Sequence, residues 1–140
     1  EFIDTDEVIE MQNSMTVAEI FKKKGEKFFR NEEEKEVLKS LQNEHCVIAL
    51  GGGAFMNSVL RESILKNAIS IWLDVNIKTL NKRMKRNIKR PLLNVKNNLR
   101  KLEELYEKRR KIYKLANHKI SCDGLEKEDI INKIITLYEQ

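Results

Sequence analysis

Apolar positions follow two rhythms along this chain. Residues 1–4, 46–50, 70–75 and 118–122 form short apolar runs, which read as strands. Between them apolar residues recur every three or four positions, the period of a helix with one buried face. This spacing predicts helices over 6–12, from 16 to about 41, from 57 or 58 to about 67, over 77–86, from about 96 to 116, and over 126–138. Thr16-Val17-Ala18-Glu19 is a capping box at the start of the second, and Gly25 is a candidate interruption within it. Pro91 forces Arg90 out of helical geometry, so the two basic helices around it are separate. Strands alternating with helices predict parallel βαβ units and an α/β fold. Trp72, inside the third apolar run, is expected in the core. No internal repeat is visible.

The second strand, Cys46-Val47-Ile48-Ala49-Leu50, runs straight into Gly51-Gly52-Gly53. Three glycines remove every Cβ, so a ligand or side chain can lie against the backbone. Ligands of α/β sheets sit at the carboxyl ends of the strands, where this run lies. A turn needing positive φ would use the same residues.

Composition narrows the class. The 140 residues are enough for one domain with a respectable core, 1–140, and no linker composition divides them. No apolar run has membrane-spanning length, and no signal segment opens the chain. Cys46 and Cys122 match no metal spacing. They are expected to be buried reduced thiols, with a cytoplasmic location and no membrane partner. Net charge is +5 but unevenly spread: residues 82–111 hold thirteen Lys and Arg against three Glu. Such a stretch is either a solvated helix face or a patch for phosphate-bearing partners. It has few aromatics for stacking bases, which argues against nucleic acid as partner.

Candidate chemistry clusters in four places. Asp4 and Asp6 lie one residue apart at a strand's carboxyl end, which suits a magnesium-water shell and an acceptor for a substrate hydroxyl. Asp6 also stands where a helix N-cap is expected, and the residues alone leave both roles open. Arg30 follows two phenylalanines and has Glu33 three positions on, where a helix would pair them. Arg90, in Arg90-Pro91-Leu92-Leu93, sits at the forced break, a suitable place for a lid over phosphates, about residues 87–97. Arg109 and Arg110 precede Tyr113 in a basic helix, and either guanidinium can fork onto a carboxylate.

Taken in order, FIDTD, FFRxxE, ALGGGA, RPLL and the arginine four residues before the tyrosine in KRRKIY resemble the shikimate kinase family. The separations match that pattern too: Asp6 to Arg30 is 24 residues, Asp6 to Gly52 is 46, and Arg90 to Arg109 is 19. The resemblance covers essentially the whole chain. It implies a three-layer α/β/α, P-loop-kinase-like fold with a parallel sheet, and ATP-dependent phosphorylation of the shikimate 3-hydroxyl. Shikimate, ATP and Mg2+ would be the ligands of a monomer.

The resemblance also implies roles. Asp6 would bind shikimate hydroxyls and orient or deprotonate the attacking one. Arg30 and Arg109 would clamp the shikimate carboxylate, and Gly51, Gly52 and Gly53 would line the same pocket. Arg90 would reach the transferring phosphate, Asp4 would hold the magnesium shell through water, and Arg83 or Arg86 would face the nucleotide. Two departures stand out. Lys111 replaces a proline frequent in the family's last motif, and the phosphate-binding loop GxxxxGKS/T is absent from these residues. The resemblance would put that loop upstream of Glu1, with a central strand between 46–50 and 70–75. On this expectation the 140 residues alone are inactive, and they leave a gap in the sheet, pair those strands differently or fold poorly. The alternative function is a non-catalytic shikimate-binding module.

Overall fold

A computed structural model describes residues 1–86 and 99–140. The elements are β1 (Phe2–Asp4), α1 (Thr5–Asn13), α2 (Val17–Lys24), α3 (Glu26–Ser40), β2 (Val47–Ala49), a 3-10 turn (Ala54–Met56), α4 (Ser58–Asn67), β3 (Ile71–Asp74), α5 (Ile77–Arg86), α6 (Leu99–Tyr113), β4 (His118–Ser121) and α7 (Lys127–Glu139). Local chemistry explains most boundaries. Asp4 caps α1 by accepting from the Asp6 and Glu7 N–H groups, at 3.0 and 3.3 Å. The cap is therefore Asp4, and Asp6 falls in the first helical turn instead. Thr16 and Glu19 close the expected capping box on α2. Gly25, at φ +89°, ends that helix and starts the next, so the long periodic stretch is two helices. Asn57 caps α4 through the Val59 and Leu60 N–H groups.

All strand pairing is parallel. β1 pairs with β2 in the register Asp4↔Ala49, and β3 with β4 in the register Asp74↔Ser121. Among the described residues the strands fall into these two separate pairs. Val47 in β2 and Leu73 in β3 are 58% and 48% exposed, unusual for apolar strand residues in a layered fold.

Two apolar clusters flank α3. Phe29 joins Ile9 and Ile20 in one, and Val37 joins Ala54, Phe55, Leu60 and Ile64 in the other. Each fully buried aliphatic or aromatic side chain contributes about 1.5–3 kcal/mol. Together the clusters hold α1, α2, α4 and α6 around one spine, α3. Three details differ from the sequence expectation. Trp72 is half-buried, with its ring edge-on to Tyr113. Cys46 and Cys122 are free, half-buried and just outside the strands. α7 forms, but none of its residues is fully buried.

Candidate active site

The site begins with the register of β1 on β2. Thr5 is fully buried, and its hydroxyl donates to the Ala49 carbonyl at 3.2 Å. That bond ties the start of α1 to the end of β2, so Asp6 faces the turn that follows Leu50. No glycine in that turn has positive φ. The turn reading of the run is thereby corrected: what requires glycine here is close approach.

Each glycine stands against a different functional side chain. A Cβ on Gly51 would lie 2.9 Å from Asp6 Oδ1 and 3.3 Å from Glu33 Oε2. A Cβ on Gly52 would collide with Arg109 Nη1 and lie 3.1 Å from its Cζ. A Cβ on Gly53 would lie 2.6 Å from both Cζ and Nη2 of Arg30. Residues from three helices thus converge on three consecutive Cα atoms. Asp6, Arg30 and Arg109 are brought together at this turn.

Arg30 is held from several sides. Its Nη1 donates to Glu33 Oε1 at 2.9 Å, and Nε lies 3.6 Å from Glu26 Oε1. Its Cζ stands 5.4 Å from the ring centroid of Phe29 and 5.8 Å from that of Phe21, within cation–π range. An i, i+3 ion pair on a solvated helix would contribute almost nothing. This one differs, because Glu33 is 1% exposed. Burial pushes the Glu33 carboxyl above the ordinary glutamate value, the Arg30 guanidinium opposes that shift, and the Asp6 charge adds to it. Two acids and two arginines therefore share a small, partly dehydrated space.

Sequence reasoning placed Glu33 beside Arg30 but had no signal for its burial. Phe21 was also missed as an Arg30 contact, because the break at Gly25 decides how α2 folds back. Tyr113 belonged to a motif without a role, and its hydroxyl donates to the Gly52 carbonyl.

The other strand pair ends in a second polar group. Tyr106 donates to Asp74 at 3.5 Å, and Asp123 accepts from the Asn76 N–H at 3.2 Å. Burial pushes the Cys122 thiol up, Asp123 and Asp74 add to this, and Arg83 opposes it. Arg83 itself is an exposed residue of α5. Arg90 and the expected lid lie outside the described residues, as does the Arg86 side chain. Among the described residues no three metal-ligating side chains gather, and no helix is long and apolar enough to cross a membrane.

Comparison with known proteins agrees with this geometry. The shikimate kinase family model matches residues 1–139. The chain belongs to the shikimate kinase family. It is 36% identical over 135 residues to the shikimate kinase of Sulfurihydrogenibium sp., covering 96% of this chain and 80% of that one. To the shikimate kinase of Bartonella henselae it is 37% identical over 134 residues, covering 96% and 64%. Among solved structures, the Acinetobacter baumannii shikimate kinase in complex with shikimate superposes with a TM-score of 0.92 at 32% identity, covering 99% of this chain and 78% of that one. The parallel strand pairs and flanking helices are thus those of a shikimate kinase, an α/β phosphotransferase fold.

Proposed function

We propose that these residues form the acceptor side of an ATP-dependent kinase that phosphorylates the 3-hydroxyl of shikimate, working as a cytoplasmic monomer. The observation that carries this reading is the glycine turn, whose three Cα positions stand against Asp6, Arg109 and Arg30 in turn. Arg30 and Arg109 are suited to fork onto the acceptor carboxylate, because a guanidinium presents paired donors at carboxylate spacing. The backbone N–H groups of Gly51, Gly52 and Gly53 are reachable because nothing projects from their Cα atoms. Asp6 then accepts a hydrogen bond from the attacking hydroxyl. As the new O–P bond forms and the bond from the γ-phosphorus of ATP to its bridging oxygen breaks, ADP leaves and that hydroxyl's proton passes to the Asp6 carboxylate.

ATP supplies the transferred phosphoryl group. Arg90 is proposed to neutralise charge on it, from its RPLL motif. Arg83 or Arg86, both on α5, is proposed for the nucleotide side. Asp4 fits a water-mediated magnesium role better than direct ligation, since its Oδ1 already caps α1. The competing reading is a non-catalytic shikimate-binding module.

The deciding experiment is calorimetric titration of Arg30→Ala and Arg109→Ala in the full-length protein. Each substitution is expected to weaken shikimate binding by about 2 kcal/mol or more, as for one truncated partner of a buried charge contact. ATP affinity should stay the same. Equal loss of both ligands would mean that these arginines do not form the acceptor clamp. Turnover by the unsubstituted protein excludes the binding-only alternative.

A further inference from the structure

Tyr113 has a place in the site that the kinase reading leaves unused. It is the last residue of α6, one helical turn beyond Arg109, so the two side chains share a face. Its ring is half-buried between Trp72 and Phe55, edge-on to both, with centroids 6.0 and 6.4 Å away. The hydroxyl at the tip donates to the Gly52 carbonyl.

That carbonyl belongs to a particular peptide unit. The Gly52 C=O and the Gly53 N–H lie in one plane and, the bond being trans, point in opposite directions. With glycine on both sides, this unit can turn over without any Cβ clash. Hydrogen bonds from Ala54 N–H to Gly51 O and from Met56 N–H to Gly53 O close the turn. Neither engages this unit's own C=O or N–H. The Tyr113 hydroxyl does, and it selects one of the two orientations. The same bond sets how far α6 lies along the turn, and with it the position of Arg109 over Gly52.

We propose that Tyr113 is a positioning residue for the acceptor site. Its hydroxyl holds the Gly52–Gly53 peptide so that the Gly53 N–H is offered to the acceptor's carboxylate, and it registers Arg109 over the same turn. This rests on the reading of the site as the shikimate pocket.

The test is Tyr113→Phe in the full-length protein, which keeps the ring between Trp72 and Phe55 and removes only the donor. Three quantities are read: Kd and KM for shikimate, KM for ATP, and the Gly53 amide resonance in glycine-labelled protein without and with shikimate. Shikimate Kd and KM should rise about three- to tenfold, the effect of losing one hydrogen bond. ATP KM should hold, and the Gly53 resonance should shift or broaden before any ligand is added. Unchanged shikimate constants would overturn the proposal. So would an unchanged Gly53 resonance, or an equal loss for both substrates, which marks a packing role only. If the unsubstituted protein fails to bind shikimate, the reading of the pocket falls. The ligand-free Gly53 resonance then still judges the peptide pin, sustaining it if changed by the substitution and refuting it if not.

Discussion

At Gly53 the backbone is at φ −90°, ψ −14°, a conformation that alanine adopts freely. Gly53→Ala therefore carries no backbone strain and stiffens the unfolded chain slightly. Its added Cβ nevertheless meets the Arg30 guanidinium 2.6 Å from Cζ, and Arg30 must move. The expected outcome is a thermal midpoint close to the parent's, with kcat/KM for shikimate lower by about ten- to a hundredfold, as for an angstrom-scale misplacement. Steady-state kinetics beside a melting curve checks both halves. Glu33 gives a second test at this scale. Burial raises its pKa above the ordinary 4.5, so the folded state holds the proton more tightly than the unfolded state. Its contribution to stability is full below about 4.5 and is lost as pH rises through the folded value. Glu33→Gln removes that titration. The difference in melting temperature, variant minus parent, should grow more positive from pH 4 to pH 7, and a constant difference would contradict the assignment. The residue types at these positions were legible in the sequence. Which glycine faces which side chain was not, because Arg30 and Arg109 come from segments far away along the chain.

Elements follow local rules, and most of them were legible. The capping box at Thr16, the strand before the glycines and the helix after Asn57 all form where their residues indicate. The misread points are those where two residues compete for one role. Asp4 and Asp6 both suit an N-cap, and the backbone chose Asp4 because β1 ends there, with φ −100°, ψ 111°. That choice releases Asp6 toward the glycines. Asp4→Asn separates capping from metal support, since asparagine caps a helix as well as aspartate does. Stability in urea should change by no more than about 0.5 kcal/mol, within the range of neutral substitutions. The Mg2+ concentration needed for half-maximal activity should rise. An unchanged Mg2+ requirement would leave Asp4 as a cap alone. Gly25, by contrast, interrupts the long periodic stretch as expected, ending α2 and starting α3, and Phe21 packs edge-on to Phe29 at 5.0 Å.

Across the whole molecule, α3 is the organising element. Phe29 and Val37 anchor it in two separate cores, and Arg30 and Glu33 lie between these anchors. Rigid support on both sides lets a guanidinium be held by a buried carboxylate instead of waving in water. The alternation of apolar runs determined the α/β class, the parallel pairing and the order of elements, because side-chain period and strand–helix connection are local properties. The glycine run and the spacing of its acidic and basic partners determined the family. Only the tertiary structure decided that the strands form two pairs, that Glu33 is buried, and that Tyr113 reaches the Gly52 carbonyl. Each of those depends on contacts between residues far apart in the chain. Such contacts form only when whole faces pack together, and no local pattern encodes them.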